Sequence, residues 1–193
     1  MFKLTKYFLT LFLIVSFSSL LFGQNEDASA EQMQKWMDYM TPGPMHELMA
    51  KSVGEWKTIN RYWMDPAAEP MVTEGTATIE MILGGRYQSA KHTGMVMGMP
   101  MEGMNLTGYD NASGEFTSIW IDNLGTGTAV AKGTYDETSG ELKMKGSMVD
   151  PMTKSEMQFR EVTKILNENH HIFEMYMIYN GEEFKSLEIE FIR

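Results

Sequence analysis

From residue 54 onward the chain alternates apolar and polar residues with a period of two, and turn chemistry interrupts the alternation about every ten residues. The pattern predicts strands over 55–64, 71–83, 86–97, 103–110, 115–122, 127–135, 141–149, 155–165, 170–179 and 184–192. The breaks between them include Asp65-Pro66, Gly84-Gly85, Gly98 to Pro100, Asn111 to Gly114, Asn123 to Gly125 and Asp136 to Gly140. Asp150-Pro151, Asn167 to Asn169 and Asn180-Gly181 complete the series. Asn180-Gly181 is the strongest hairpin signal, because both central positions of a type I′ turn need a positive φ. No helical run follows residue 52. Ten strands in sequential hairpins, with no long crossover, predict an up-and-down meander, and closure into a barrel removes its exposed edges.

Upstream the period changes. Met33, Trp36, Met37 and Met40 recur at three- and four-residue spacing, one face of a short helix. Ser29 and Gln32 suit its N-terminal cap, and Thr41-Pro42-Gly43-Pro44 ends it. A second short helix over about 44–52 places Met45, Leu48 and Met49 on one side. The expected job of this region is to plug one end of the barrel.

An internal repeat supports the meander. Tyr109-Asp110-Asn111-Ala112-Ser113-Gly114-Glu115-Phe116 is echoed by Tyr135-Asp136-Glu137-Thr138-Ser139-Gly140-Glu141-Leu142. Each copy reads as a strand end, a turn set by an Asp side chain and a left-handed Gly, and a new strand. Two equivalent turns at one end of the barrel are expected.

Residues 1–23 read as a cleaved signal peptide. Lys3 and Lys6 precede the apolar run Tyr7 to Phe22, which is too short for a comfortable membrane span, and Gly23 offers a small residue for cleavage. Residues 24–53 are then a polar lead-in with the short helices, and 54–193 the barrel. No Cys follows the apolar run, which excludes a lipoprotein anchor. The expected address is exported, periplasmic or secreted, with no membrane span after signal cleavage. Removing residues 1–23 leaves 14 basic and 26 acidic residues, a net charge of −12. Such a surface repels phosphate backbones, so nucleic acid is not an expected partner. With no cysteine in the chain, the barrel is held by packing alone.

Gly54-Glu55-Trp56 resembles the opening of calycin-type barrels, where the Trp packs across the closed end. A longer set of residues is more specific: Gly98-Met99-Pro100-Met101-Glu102-Gly103, Gly108-Tyr109-Asp110, Trp120-Ile121-Asp122 and Gly133-Thr134-Tyr135-Asp136. With Gly146, Asp150-Pro151 and the stretch from Gly181 to Arg193, these resemble a bacterial family catalogued as domain of unknown function 1579. The resemblance spans roughly residues 43–193, one domain's worth of chain. It implies an all-β, single antiparallel calycin-like barrel and no assigned activity. Met101 stands where the family usually carries an aromatic residue, a departure that leaves the fold untouched.

The most unusual feature of the composition is 20 methionines. Met95, Met97, Met99 and Met101 alternate, with Met104 behind them and His92 just ahead. On a regular strand alternate side chains share a face, and several thioethers with one imidazole suit Cu(I). Gly98 and Pro100 interrupt that strand, and methionine is abundant throughout, as it is where a flexible apolar side chain fills a core or lines a pocket. His46, His92, His170 and His171 show no zinc spacing. His170 and His171 are adjacent, so at most one points into a barrel, where it is a candidate axial haem ligand of the kind that haem-binding calycin-like barrels use. No nucleophile motif is present, and Asp110 and Asp122 are the first candidates for acid–base work because both close strands beside glycines.

Aromatic and methionine lining with a few polar groups describes a small-molecule pocket. The leading expectation is therefore a non-enzymatic barrel binding a small, mostly apolar molecule, with Trp56, Tyr109, Trp120, Met95 and Met97 at the ligand. No catalytic residue, no cofactor and no metal is predicted in that reading. A copper protein using His92, Met95, Met97, Met99 and Met101 is the first alternative, and a carboxylate-dependent enzyme the second.

Overall fold

A computed structural model describes residues 28–179 and 181–193. The candidate signal peptide lies outside the described residues, as does Asn180 of the strongest predicted turn. Helix α1 covers residues 28–40. Because the chain is already helical at residue 28, Ser29 stands within the helix and does not cap it. Lys35 pairs with Glu31 one turn earlier at 2.6 Å, and the Trp36 and Tyr39 rings meet edge to face at 5.8 Å. This helix belongs to a compact unit ending at Thr41, and the barrel unit runs from Pro42 to Arg193.

Helix α2, Pro44–Ala50, opens the barrel unit. Pro44 occupies a first-turn position, where a missing N–H costs nothing. The Gly43 N–H donates to His46 Nδ1 at 3.0 Å, so the imidazole fills the place that a Glu or Gln takes in a capping box. His46 and Met49 are buried, with Met45 and Leu48 packed against the core.

Ten strands follow. They are β1 (Gly54–Tyr62), β2 (Met71–Ile82), β3 (Tyr87–Val96), β4 (Met99–Asp110) and β5 (Glu115–Asp122), then β6 (Ala129–Asp136), β7 (Glu141–Val149), β8 (Glu156–Asn167), β9 (His170–Tyr179) and β10 (Glu182–Ile192). Each pairs antiparallel with its neighbours in sequence, and β10 pairs with β1 to close the barrel. Closure gives every strand two partners and leaves no edge. Every predicted strand is present.

The main correction concerns the start of β4. The predicted break at Gly98 to Pro100 is a two-residue turn, Met97-Gly98, both with positive φ (50° and 78°), and Val96 pairs directly with Met99. That is the geometry of a type I′ hairpin. Pro100 then sits within the strand, opposite Met95. It is tolerated there because the β4–β5 ladder begins only at Gly103, so its missing N–H breaks no rung on that side.

The repeated turns are equivalent, as predicted. Gly114 N–H donates to the Asp110 carbonyl and Gly140 N–H to that of Asp136, both at 2.8 Å, and both glycines have φ near 70°. The Asp side chains accept from the Ala112 and Thr138 N–H groups, at 2.9 and 3.0 Å. Asp110 is thus held as a turn former: these bonds lower its carboxyl below the usual range.

On the outer face the strands carry the basic residues, and a chain of ion pairs crosses β8, β9, β10 and β1. Lys164 and Lys185 both reach Glu174, Lys185 also reaches Glu188, and Glu188 binds Arg61.

Candidate functional site

Strand alternation fixes which side chains enter the barrel. On β1 they are Trp56, Thr58, Asn60 and Tyr62; register carries the inner face through Ala77, His92, Gly103 and Asp122 on the next strands. On β7 to β9 it continues through Met144, Glu161 and Met175. Apart from Val162 on the outer phase of β8, the buried apolar residues divide into two groups. One gathers Met49, Phe116, Ala131, Met144, Phe159 and Met177; the other gathers Trp56, Ala77, Ile79 and Ala90, with Phe191 against them.

Trp56 seals the barrel where the strands begin. It is 2% exposed, its indole N–H donates to the Ser52 carbonyl at 2.8 Å, and the Arg193 guanidinium lies 4.3 Å from its ring centre. His171 packs against the same ring at 4.5 Å. Tyr109 lies at the α2 end as well, against Phe116 (4.8 Å) and His46 (5.8 Å). Gln88 ties α2 down by donating to the Met49 carbonyl at 2.7 Å. Trp56 and Tyr109, expected at a ligand, therefore stand in the closure of the barrel.

The methionine run does not form a single face. Because the chain reverses at Met97-Gly98, Met95 lies on the outer face opposite Pro100, and Met97 is in the turn. Met99 and Met101 fall on the inner face, with Met101 opposite Gly94 and next to the register of His92. The five-donor set expected for copper is thus split, leaving His92, Met99 and Met101 on the inner side. Among the described residues no three His, Cys, Asp or Glu side chains are grouped to hold a metal ion.

Trp120 is an expected site residue that lies in the inner phase away from α2 and is partly accessible, as Tyr109 is at the α2 end. Its indole N–H donates to Asp122 Oδ2 at 2.7 Å, and its ring meets His92 at 5.2 Å. Asp122 also accepts from the N–H groups of Leu124 and Gly125, at 2.9 and 3.0 Å, so it orients the indole and closes a turn. Burial holds the His92 imidazole down to about 4, and it is neutral at pH 7. His171 is likewise lowered, first by burial and then by the Arg193 charge. His170 faces outward to Glu190 at 2.9 Å, so one histidine of the adjacent pair enters the barrel.

Inner polar groups are mostly paired. Asn105 Nδ2 donates to Ser118 Oγ and Thr107 Oγ1 donates to Asn105 Oδ1, each at 2.7 Å. Glu161 is different. It is 8% exposed, lies between Met144 and Met175 on the adjacent strands, and its Oε2 has no hydrogen-bond partner. Burial alone pushes its carboxyl up to about 7. Among the described residues, Thr73 Oγ1 and His171 Nε2 are the other buried inner atoms without a hydrogen-bond partner. Glu161 is not among the candidates read from the sequence, although its signal is there: it keeps the two-residue phase of Met157, Phe159 and Ile165. An acid in phase with a strand's apolar side is the mark of an inward charge.

This geometry defines a class, the closed ten-stranded up-and-down barrel with one end plugged by a short helix. The chain belongs to the family described as protein of unknown function (DUF1579), which matches it over residues 41–193. Among solved structures it is similar to Rv2717c from M. tuberculosis, at 14% identity and a TM-score of 0.59. That match covers 79% of this chain and 99% of the other, and it supports the fold alone. No curated protein matches significantly. Among the described residues no helix is long and apolar enough to cross a membrane.

Proposed function

We propose that this barrel binds a small, mostly apolar molecule in its interior. One observation carries the reading: side chains directed into a closed barrel keep accessible surface. Met101, Asn105, Trp120, Met157, Met175 and Ile189 all occupy inner register positions, and each is partly accessible. In a filled barrel of this kind such residues would be sealed by those opposite, as Phe116 and Phe159 are. Methionine, tryptophan and a few polar atoms make a wall suited to an adaptable apolar contact with limited directional bonding.

The test is a titration with N-phenyl-1-naphthylamine, an uncharged probe whose fluorescence rises in apolar surroundings. Saturable enhancement, weakened about tenfold or more in Trp120→Ala, is expected from the loss of a buried aromatic contact. An absence of saturable binding, for this probe and for extracted small molecules in native mass spectrometry, would remove the proposal. The polar-then-apolar start of the chain supports a second proposal, that the protein is exported and cleaved after Gly23. A cell-fractionated protein that still begins at Met1 would rule that out.

A further inference from the structure

The charges inside the barrel have one sign. No lysine or arginine occupies an inward strand position among the described residues: Lys57, Lys91, Lys132, Lys143, Lys145 and Lys164 all fall on the outer phase. Arg61 and Arg160 also point outward, to Glu188 and Glu183. The ionisable side chains of the inner phase are Glu161, Asp122, Tyr62, Tyr109, Tyr135, His92 and His171, with Glu182 exposed at the start of β10. Asp122 is occupied by Trp120 and its own turn, and both imidazoles are held neutral by burial. The interior therefore offers nothing that would neutralise an anionic head group, and one carboxyl group with nothing to bind.

Glu161 is the anomaly. An unpaired carboxyl group more than nine-tenths buried between two methionines is costly, and methionine or glutamine would fit the same space at lower cost. Its free oxygen lacks a donor that the protein does not supply. A ligand with a protonated nitrogen would supply it, forming a charge-assisted hydrogen bond where water is scarce. The Met144 and Met175 thioethers on the adjacent strands suit the rest of such a molecule, since polarisable sulfur packs adaptably against apolar groups. The net charge of −12 outside residues 1–23 favours the approach of a cation as well.

We propose that the molecule bound in the barrel is a hydrophobic cation, an apolar body bearing one protonated amine, and that Glu161 is the residue that receives the amine. This rests on the interior-binding reading above and specifies its ligand class.

The experiment displaces N-phenyl-1-naphthylamine from the full protein at about pH 8, where Glu161 is ionised and an alkylamine is still protonated. Dodecylamine, dodecanol and dodecanoate serve as matched competitors, all below their micelle concentrations. Dodecylamine is expected to compete at a concentration about ten- to a hundredfold lower than dodecanol, with dodecanoate weakest. In Glu161→Gln the advantage of the amine disappears and the probe still binds. If that variant fails to fold, Glu161→Met, matched to Met144 and Met175, takes its place. Equal competition by amine and alcohol, stronger competition by dodecanoate, or an amine advantage that survives in the variant overturns the assignment, while probe binding leaves the interior-binding reading standing. Failure of the probe and all three competitors to bind would remove both.

Discussion

Trp120 lies across the α-carbon of Gly103 on the neighbouring strand, so closely that a β-carbon there would come within 2.3 Å of the indole Cζ2. His92, opposite Gly103 in register, meets the same indole from the other side of the strand pair. A glycine in β4 is what lets this inner tryptophan lie against the wall and reach Asp122. Gly103→Ala is expected to displace the indole and cost about 1–3 kcal/mol, the usual range for overpacking. Near-UV circular dichroism reports the displacement and urea titration the cost; an unchanged spectrum would contradict the geometry.

Glu161 has a consequence for stability. Its carboxyl is raised from 4.5 to about 7, so between those values the folded chain holds a proton that the unfolded chain has released. Stability therefore falls as pH rises through that window, by on the order of 3 kcal/mol, and the penalty is complete above about pH 7. Glu161→Gln is expected to be more stable than the parent by about 1–3 kcal/mol at alkaline pH and nearly equal to it at acidic pH. Urea unfolding at both ends of the window checks the sign.

His92 acts in the opposite sense. With its imidazole lowered from 6.5 to about 4, the unfolded chain takes up a proton that the folded chain refuses. Stability is lost as pH falls between those values, again by on the order of 3 kcal/mol. His92→Gln is expected to flatten the acid side of the stability profile. Thermal melts from mildly acidic to neutral pH would show it, and an acid loss identical to the parent's would assign that loss to other groups.

Met97 is a non-glycine residue at φ 50° in the β3–β4 hairpin. Its partner in the turn is already glycine, and both positions require positive φ. Met97→Asn or Met97→Gly should relieve strain and stabilise the barrel by about 0.5–1 kcal/mol. The same substitution leaves the inner face unchanged, so probe binding is expected to stay at the parent value. A loss of stability would mean that the exposed thioether has a role the fold does not explain.

Ten strands, their order and the paired Asp–Gly turns were legible in the sequence, because period-two alternation and turn residues act over a few positions. The helix preceding β1 was legible from its own three- and four-residue spacing, although nothing in the sequence showed that His46 would accept from the Gly43 N–H and close its capping box. Pro100 misled: it reads as a strand breaker, and only the end of the neighbouring ladder makes it acceptable within β4.

What the chain determined by itself is the barrel, since local periodicity and turn chemistry leave one economical way to pair sequential strands. Tertiary structure alone decided what the barrel's interior presents. Phase along a strand is local, but whether a run of methionines keeps one face depends on where the hairpin reverses, and that split Met95 and Met97 from Met101. Whether an inner tryptophan closes the barrel or remains accessible depends on what arrives from distant strands: Arg193 and His171 for Trp56, Gly103 and His92 for Trp120. Glu161 shows the same limit. Its inward phase is written in β8, but its lack of a partner is a property of every side chain that could have reached it, and no single strand contains that information.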